Sequence, residues 1–277
     1  MPLLKHGFLG TEGEQIQQQI LRKYAELFGH LRDFNDICHE YLSGLRIDRE
    51  AETEVFTIAY FIRGLKTFQS LILLLERGML DDVRVLGRTL LHTHFRLAAL
   101  ANDPTVLKRI RTSALSEQKK RLESYKSGKR KVPANANKVD LDQLIAQAQS
   151  QLQKMGGSGI NEKELAKIGG RLRDYDEAYA ILSDAVHTSL SDVLPSMKFG
   201  HKGNFLGYIY GPDDRDLAMY AGYLLTLQSE NLVNTNEVIK RQLPASFEEF
   251  KKRSMRITSD MPGVFNRKSV ATHRKLQ

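Results

Sequence analysis

Four basic side chains recur at every fourth position of one segment that is otherwise rich in leucine and valine. An α-helix advances about 100° per residue, so a spacing of four keeps these side chains on one gently drifting face. The segment between Asp81 and Asn102 is apolar around most of its circumference, which predicts a central, buried helix. The basic face consists of Arg84, Arg88, His92 and Arg96.

A guanidinium is charged at every accessible pH, and a buried one needs a counter-charge. Two interpretations of Arg88 stay open: it pairs with a buried carboxylate and fixes helix packing, or it contacts an anionic ligand in an interior pocket. In the second case we expect Arg88 and His92 to be catalytic, because histidine titrates near neutral pH and suits proton transfer. Arg84 would then help to bind the ligand.

A second polar row has the same spacing on a later segment. Tyr179, Ser183 and His187 share one helical face beside an apolar stripe. A phenol, a hydroxyl and an imidazole in one row predict a hydrogen-bonded chain, with Tyr179 and Ser183 binding and His187 catalytic. The other open interpretation is that these side chains only form hydrogen bonds with one another where two helices pack together. If the two rows face each other, Arg88 and His92 meet His187 across a shared cavity.

These two segments resemble a bacterial family known as domain of unknown function 5677. Its members carry an Arg-Ser-Leu-x-Glu-like motif on one helix and a Tyr-x3-Leu-Ser-x2-Val-His motif on a later one. This chain reads Arg-Thr-Leu-Leu-His over 88–92 and Tyr-Ala-Ile-Leu-Ser-Asp-Ala-Val-His over 179–187. The resemblance covers about 51–240, and His92 stands where members commonly have glutamate. The family has no settled activity.

A wider resemblance is to HEPN-type helical domains, many of which are RNases of toxin and antiviral systems with an Arg-x4–6-His motif. Arg88 and His94 have this spacing, and so do Arg32 and His39. The resemblance implies a histidine acting on the ribose 2′-OH or the leaving oxygen, and an arginine stabilising the phosphate. It also implies a homodimer and a bacterial or phage-related protein of a defence system.

The net charge of +8 is unevenly distributed. Residues 108–138 contain eleven Lys/Arg and two Glu, and residues 251–277 contain eight Lys/Arg and one Asp. The remainder of the chain has a net negative charge. Such blocks attract RNA or another nucleic acid, or an acidic partner protein, although a merely solvated surface has the same composition. Within an expected exposed loop, 126–138, the candidate binding residues are Lys126, Lys129, Arg130 and Lys131.

The periodicity of apolar residues predicts an all-α protein, a multi-helix bundle with a basic loop and a basic C-terminal tail. We expect one helical domain over 1–245 with its core at about 14–240, then a short helix, with Ser246 and Glu249 at capping-box spacing, and a tail over 246–277. Phe205–Tyr210 is the only strand-like run and is too short to define a sheet. Long helices are predicted over about 14–45, 50–77, 81–102, 105–125, 140–155, 174–193 and 213–241.

Several classes of protein and site are disfavoured. The lone Cys38 excludes an intrachain disulfide and suits the cytoplasm. The longest aliphatic run, Leu71–Leu75, is far shorter than a membrane span. His92 and His94 point about 200° apart on a helix and are poor partners for one metal ion. We therefore predict no metal, no cofactor and no membrane.

Three functional hypotheses remain after the sequence is read. The first is an enzyme acting on RNA through the Arg/His pocket. The second is a non-catalytic helical module that binds nucleic acid or a partner protein through its basic segments. The third is a scaffold whose polar rows only specify helix packing.

Overall fold

A computed structural model of the protein describes residues 7–131, 140–186, 190–200, 203–208, 211–212 and 214–259. The predicted all-α bundle is confirmed, and the only sheet in the described residues is one small hairpin. The helices are α1 Thr11–Lys23, α2 Ala25–Ser43, α3 Glu52–Glu76, α4 Leu80–Asn102, α5 Val106–Lys126, α6 Leu141–Met155, α7 Glu162–Ile168, α8 Leu172–Asp174, α9 Ala180–Val186, α10 Leu190–Val193, α11 Leu217–Ile239 and α12 Ala245–Ser259.

The centre of the bundle is formed by α3, α4 and α11, which pack against one another, with α2 on their outer side. On α4, the side chains of Leu90, Leu91 and Phe95 are fully buried. Burial of each such side chain contributes about 1.5–3 kcal/mol. The prediction that the segment after Asp81 forms a central helix is confirmed. Its residues 97–100 are buried on every side, whereas the earlier part of the helix has one half-exposed side.

The first predicted helix is two helices. At Tyr24 the backbone leaves the helical region, with φ −116° and ψ 32°, and α2 begins at the next residue. The Tyr24 hydroxyl donates a hydrogen bond to the backbone carbonyl of Asp214 at 3.0 Å. The apolar spacing continues unchanged across the break, so periodicity alone does not reveal it.

The predicted helix over 174–193 is also interrupted. A π-helical turn, Tyr175–Tyr179, joins α8 to α9, and α10 follows after residues outside the described part. The strand-like run forms β2, Phe205–Tyr208, which pairs antiparallel with β1, Met197–Phe199. The strand-like run is therefore confirmed as a strand. The expectation that it is isolated was wrong, because its partner β1 carries no alternating pattern that would identify it.

Two helices form an arm that projects from the bundle, which we call the α5–α6 arm: residues 113–131 and α6. At its base the Ser113 hydroxyl donates to the Ile160 carbonyl at 2.9 Å and accepts from the Ile160 amide at 2.7 Å. Beyond Thr112 the helix α5 has no fully buried side chain, and Ala148 is the only one in α6. Residues 127–131 form an exposed turn, and 132–139 of the predicted basic loop lie outside the described residues.

The helix α12 packs onto α2 through two buried rings. Phe250 stacks on His30 with 4.2 Å between ring centroids, and Phe247 lies beside Phe34. The predicted capping box is not formed, because the helix begins before Ser246 and the Ser246 hydroxyl donates to Glu40 instead. The expected basic tail over 260–277 lies outside the described residues.

Among the described helices, α3 alone is long and apolar enough to cross a membrane by length and composition. Half of that stretch is buried inside the bundle, and the core helix of a globular domain meets the same criterion.

Candidate anion-binding pocket

A pocket of about 450 Å³ opens on one side of α4, between α3 and the end of α9. Its volume lies within the usual range of small-ligand sites. Three members of the predicted basic face line it, and all three are half-buried, so the pocket lies at the surface of the bundle and not in its interior as predicted. The lining residues are Tyr60, Arg63, Val85, Arg88, Thr89, His92, Thr93, Arg96 and Val186.

Arg88 lies in this pocket without a carboxylate partner among the described residues. Its Nη2 donates to the Tyr179 hydroxyl at 2.9 Å, and its Nε donates to His92 Nε2 at 3.3 Å. The guanidinium carbon is 5.0 Å from the centroid of the Tyr179 ring. A phenol and an imidazole orient the guanidinium but leave its positive charge uncompensated, so the carboxylate pairing that one interpretation required is not found in the described part of the chain.

The π-helical turn places Tyr179 against Arg88. Within the turn Tyr175 and Tyr179 stack, with ring centroids 4.6 Å apart and planes at 15°. Tyr175 in turn contacts Phe95 of α4, at 6.1 Å between ring centroids. Single π turns inside α-helices occur frequently at functional sites. The two rings thereby hold the wall of the pocket behind Arg88 in a fixed orientation.

A carboxylate on α7 contacts two of the residues that line the pocket. Glu162 Oε1 lies 3.3 Å from His92 Nδ1, and the carboxylate accepts two hydrogen bonds from Arg96, at 2.6 and 3.1 Å. Burial raises the pKa of the Glu162 carboxyl, but the hydrogen bonds and charges of His92 and Arg96 outweigh it, and the pKa is lowered overall. Glu162 is therefore ionised at neutral pH.

The Glu162 carboxylate also selects the tautomer of His92. Because a carboxylate can only accept, the Nδ1 of His92 carries the proton, and Nε2 is left with the lone pair that accepts from Arg88. A histidine held in this way by a carboxylate is arranged for acid–base chemistry through Nε2. Nothing in the sequence points to Glu162, because it lies on a different helix at no characteristic spacing from α4.

The pocket carries a net positive charge. Glu162 neutralises Arg96, whereas Arg63 and Arg88 have no carboxylate within salt-bridge distance in the described part of the chain. Two uncompensated guanidinium groups attract phosphate or carboxylate ligands. Within the same residues, no group of three or more His, Cys, Asp or Glu side chains is arranged to hold a metal ion.

The other predicted pocket residues have different positions. Arg84 pairs with Asp81 at 2.7 Å and does not line the pocket. The Ser183 hydroxyl is buried and has no hydrogen-bond partner among the described residues, so the predicted bond between Tyr179 and Ser183 is not formed. His187 lies outside the described residues, and its approach to Arg88 stays a prediction. Val186, the residue before it, lines the pocket.

His94 faces the opposite side of α4 from the pocket. It is fully buried, with Nδ1 3.0 Å from Asn231 Oδ1 and Nε2 3.3 Å from a Glu230 oxygen. Burial, and secondly the charge of Arg171, lowers the pKa of His94 to about 4, against the opposing effect of the Asn231 hydrogen bond. The spacing from Arg88 to His94 therefore does not bring the two side chains into one site.

The second Arg-x6-His pair also lies elsewhere. Arg32 pairs with Glu76 at 2.5 Å, and His39 Nε2 lies 2.9 Å from Gln69 Nε2. Neither residue lines the pocket. The candidate binding residues of the basic turn lie on the α5–α6 arm: Lys126, which pairs with Asp142, and the exposed Lys129, Arg130 and Lys131.

The comparisons with known proteins agree with the motif resemblance. A model of a family of unknown function, DUF5677, matches residues 54–204, which is more than half of the chain and includes every residue that lines the pocket. No curated protein and no solved structure matches the chain. All residues that line the pocket thus lie within the matched segment, and the chain belongs to the DUF5677 family of unknown function.

Proposed function

We propose that the pocket on α4 binds a phosphate group of RNA and that His92 transfers a proton during cleavage of the chain. One observation carries the proposal: Arg63 and Arg88, without carboxylate partners among the described residues, line the same pocket as a histidine held by Glu162. A guanidinium offers paired N–H donors whose geometry matches phosphate oxygens.

In the proposed reaction, Arg88 turns its Nε–H from His92 to the phosphate. His92 Nε2 then accepts the proton of the ribose 2′-OH, and Glu162 stabilises the imidazolium that forms. The 2′-oxygen attacks phosphorus, and the bond from phosphorus to the 5′-oxygen breaks. The 5′-oxygen takes a proton from water, giving a 2′,3′-cyclic phosphate and a 5′-hydroxyl. Arg63 and Arg88 stabilise the charge that develops on the phosphate oxygens.

The resemblance to HEPN-type domains extends the proposal beyond the pocket. It supports RNA as the phosphate-bearing ligand, a homodimer, and a role in a bacterial or phage-related defence system. The lone Cys38 supports a cytoplasmic location. His94 is the histidine that the spacing motif indicates, but its burial on the other side of α4 favours His92 for proton transfer.

The test is cleavage of an end-labelled single-stranded RNA by the full chain, with DNA of the same sequence as the negative control. We expect products ending in a 2′,3′-cyclic phosphate, and a rate at least about 100-fold lower for Arg88→Ala and for His92→Gln. Arg84→Ala is the matched control, because Arg84 lies one turn away on α4, outside the pocket lining. Wild-type rates in both pocket variants, with folding intact by circular dichroism, would contradict the proposal.

The second candidate is a non-catalytic module that binds nucleic acid or a partner protein through basic segments. The exposed basic turn of the α5–α6 arm is the observation that favours it. RNA binding that survives Arg88→Ala, without any cleavage by the wild type, would select this candidate over the enzyme.

A further inference from the structure

The distal half of the α5–α6 arm carries cations that the fold does not neutralise. In this part of the arm, Lys119 pairs with Glu123 and Lys126 pairs with Asp142. Five further cations have no carboxylate within salt-bridge distance among the described residues, and all five are exposed. They are Lys120, Arg121, Lys129, Arg130 and Lys131.

The same arm has no exposed large apolar side chain in its described residues. The large apolar side chains of α6 are at least half-buried, and α6 packs on α5. A membrane-inserting hairpin or a hydrophobic docking surface needs exposed apolar or aromatic anchors. The arm therefore offers charge without apolar contact, which is the character of a surface that binds a phosphate backbone.

The length of the arm also suits a polynucleotide ligand. From Ser113 at the base to Lys126 at the end of α5, a rise of 1.5 Å per residue gives about 20 Å. One phosphate in the pocket does not need cations spread over such a length, whereas a polynucleotide can contact them along its backbone. A second copy of the arm would meet like charge, so the arm is not suited to pair with itself.

We infer that the α5–α6 arm is a second binding surface, which holds the sugar–phosphate backbone of an RNA chain whose reacting phosphate lies in the pocket. The choice of RNA rests on the proposed function. The arm then makes the substrate a polynucleotide and supplies affinity that is independent of base sequence.

The experiment measures binding of a fluorescein-labelled oligouridylate by anisotropy at several salt concentrations. The arm variant carries Arg121→Gln, Lys129→Gln and Arg130→Gln. The matched control carries Arg22→Gln, Arg49→Gln and Lys252→Gln, which remove the same charges from exposed positions elsewhere. We expect the arm variant to bind at least about tenfold more weakly, with a salt slope smaller by about two, since each lost phosphate contact reduces the slope by about 0.7.

A second ligand separates failure of this inference from failure of the proposed function. Uridine 3′-monophosphate carries a single phosphate, which the pocket is proposed to hold, so the arm variant should bind it as the wild type does, while Arg88→Ala should not. Equal RNA affinity and salt slope in the arm and control variants would overturn the inference. So would an arm variant that keeps its RNA affinity but loses binding to phosphatidylserine vesicles or to polyglutamate. If the arm variant binds RNA more weakly while Arg88→Ala binds both ligands as the wild type does, the inference about the arm is supported and the proposed function of the pocket is contradicted.

Discussion

The Nδ1 atom of His92 lies 3.3 Å from a carboxylate oxygen of Glu162, which joins the central helix α4 to the start of α7. The pocket histidine thus contacts a carboxylate that another helix supplies and that does not itself line the pocket. The chemistry available at the site therefore depends on how α7 is positioned against α4.

Glu162→Gln tests that dependence. The substitution keeps the side-chain shape but removes the charge that pairs with Arg96 and His92, so the free energy of unfolding at pH 7 should fall by about 2 kcal/mol. Because folding lowers the pKa of the Glu162 carboxyl, its contribution is present above the ordinary pKa of glutamate and is lost as the pH falls through the lowered value. Urea unfolding from pH 7 to pH 3 should show this acid-dependent loss in the wild type and a weaker loss in Glu162→Gln. Identical dependence of the unfolding free energy on pH in the two proteins would contradict the assignment to Glu162.

Arg88→Ala should separate ligand binding from stability. Arg88 forms no ion pair in the described residues, so its removal should change the free energy of unfolding by less than about 1 kcal/mol. Ligand that binds only the folded state raises the melting temperature by mass action. We expect inorganic phosphate to raise the melting temperature of the wild type and of Arg84→Ala, and not that of Arg88→Ala. An equal rise in all three proteins would place the anion elsewhere.

His94 should make the protein sensitive to mild acid. Folding lowers the pKa of His94 from 6.5 to about 4, so between these values the unfolded chain binds a proton that the folded chain does not. Stability from this group is complete above pH 6.5 and falls by about 3 kcal/mol as the pH drops to about 4. His94→Gln should remove this part of the pH dependence in urea titrations, whereas His39→Gln, at an exposed position on α2, should not. A loss of pH dependence in both variants would contradict the assignment to His94.

Gly169→Ala should push α7 away from α4. A Cβ atom at Gly169 would lie 2.8 Å from Ala98 Cβ and 3.1 Å from the Ala98 backbone, although the φ of −72° suits any residue. We expect a loss of about 1–3 kcal/mol of unfolding free energy together with weaker RNA cleavage. Gly29→Ala is the control, because a Cβ there meets nothing within 4 Å and the position is inside α2. It should raise stability by about 1 kcal/mol and leave activity unchanged.

Much of this architecture can be predicted because apolar spacing records which side of a helix is buried. The spacing predicted α3, α4, α6 and α11 to within a few residues at most ends. It did not reveal the break at Tyr24, where the apolar pattern is continuous on both sides. Nor did it show β1, because a three-residue strand is too short to display an alternation.

The pocket was only partly predictable for a related reason. Positions along one helix determine that Arg88 and His92 share a face, and the structure brings both to the pocket. Contacts between helices depend on packing that local spacing does not encode, so Arg63 and Glu162 were not found. The same limit explains His94, whose distance from Arg88 along the chain fits a motif while its side chain points to α11.

The π turn at Tyr175–Tyr179 has a consequence for the helix that follows it. Such a turn contains one residue more than the α-helix around it would use, so α9 is rotated by about 100° relative to an uninterrupted continuation of α8. Shortening the chain by one residue within the turn would restore a regular helix and carry Val186 away from the pocket mouth. The orientation of α9, and with it the position of Val186, therefore depends on the presence of one extra residue in the turn and not on the identity of that residue.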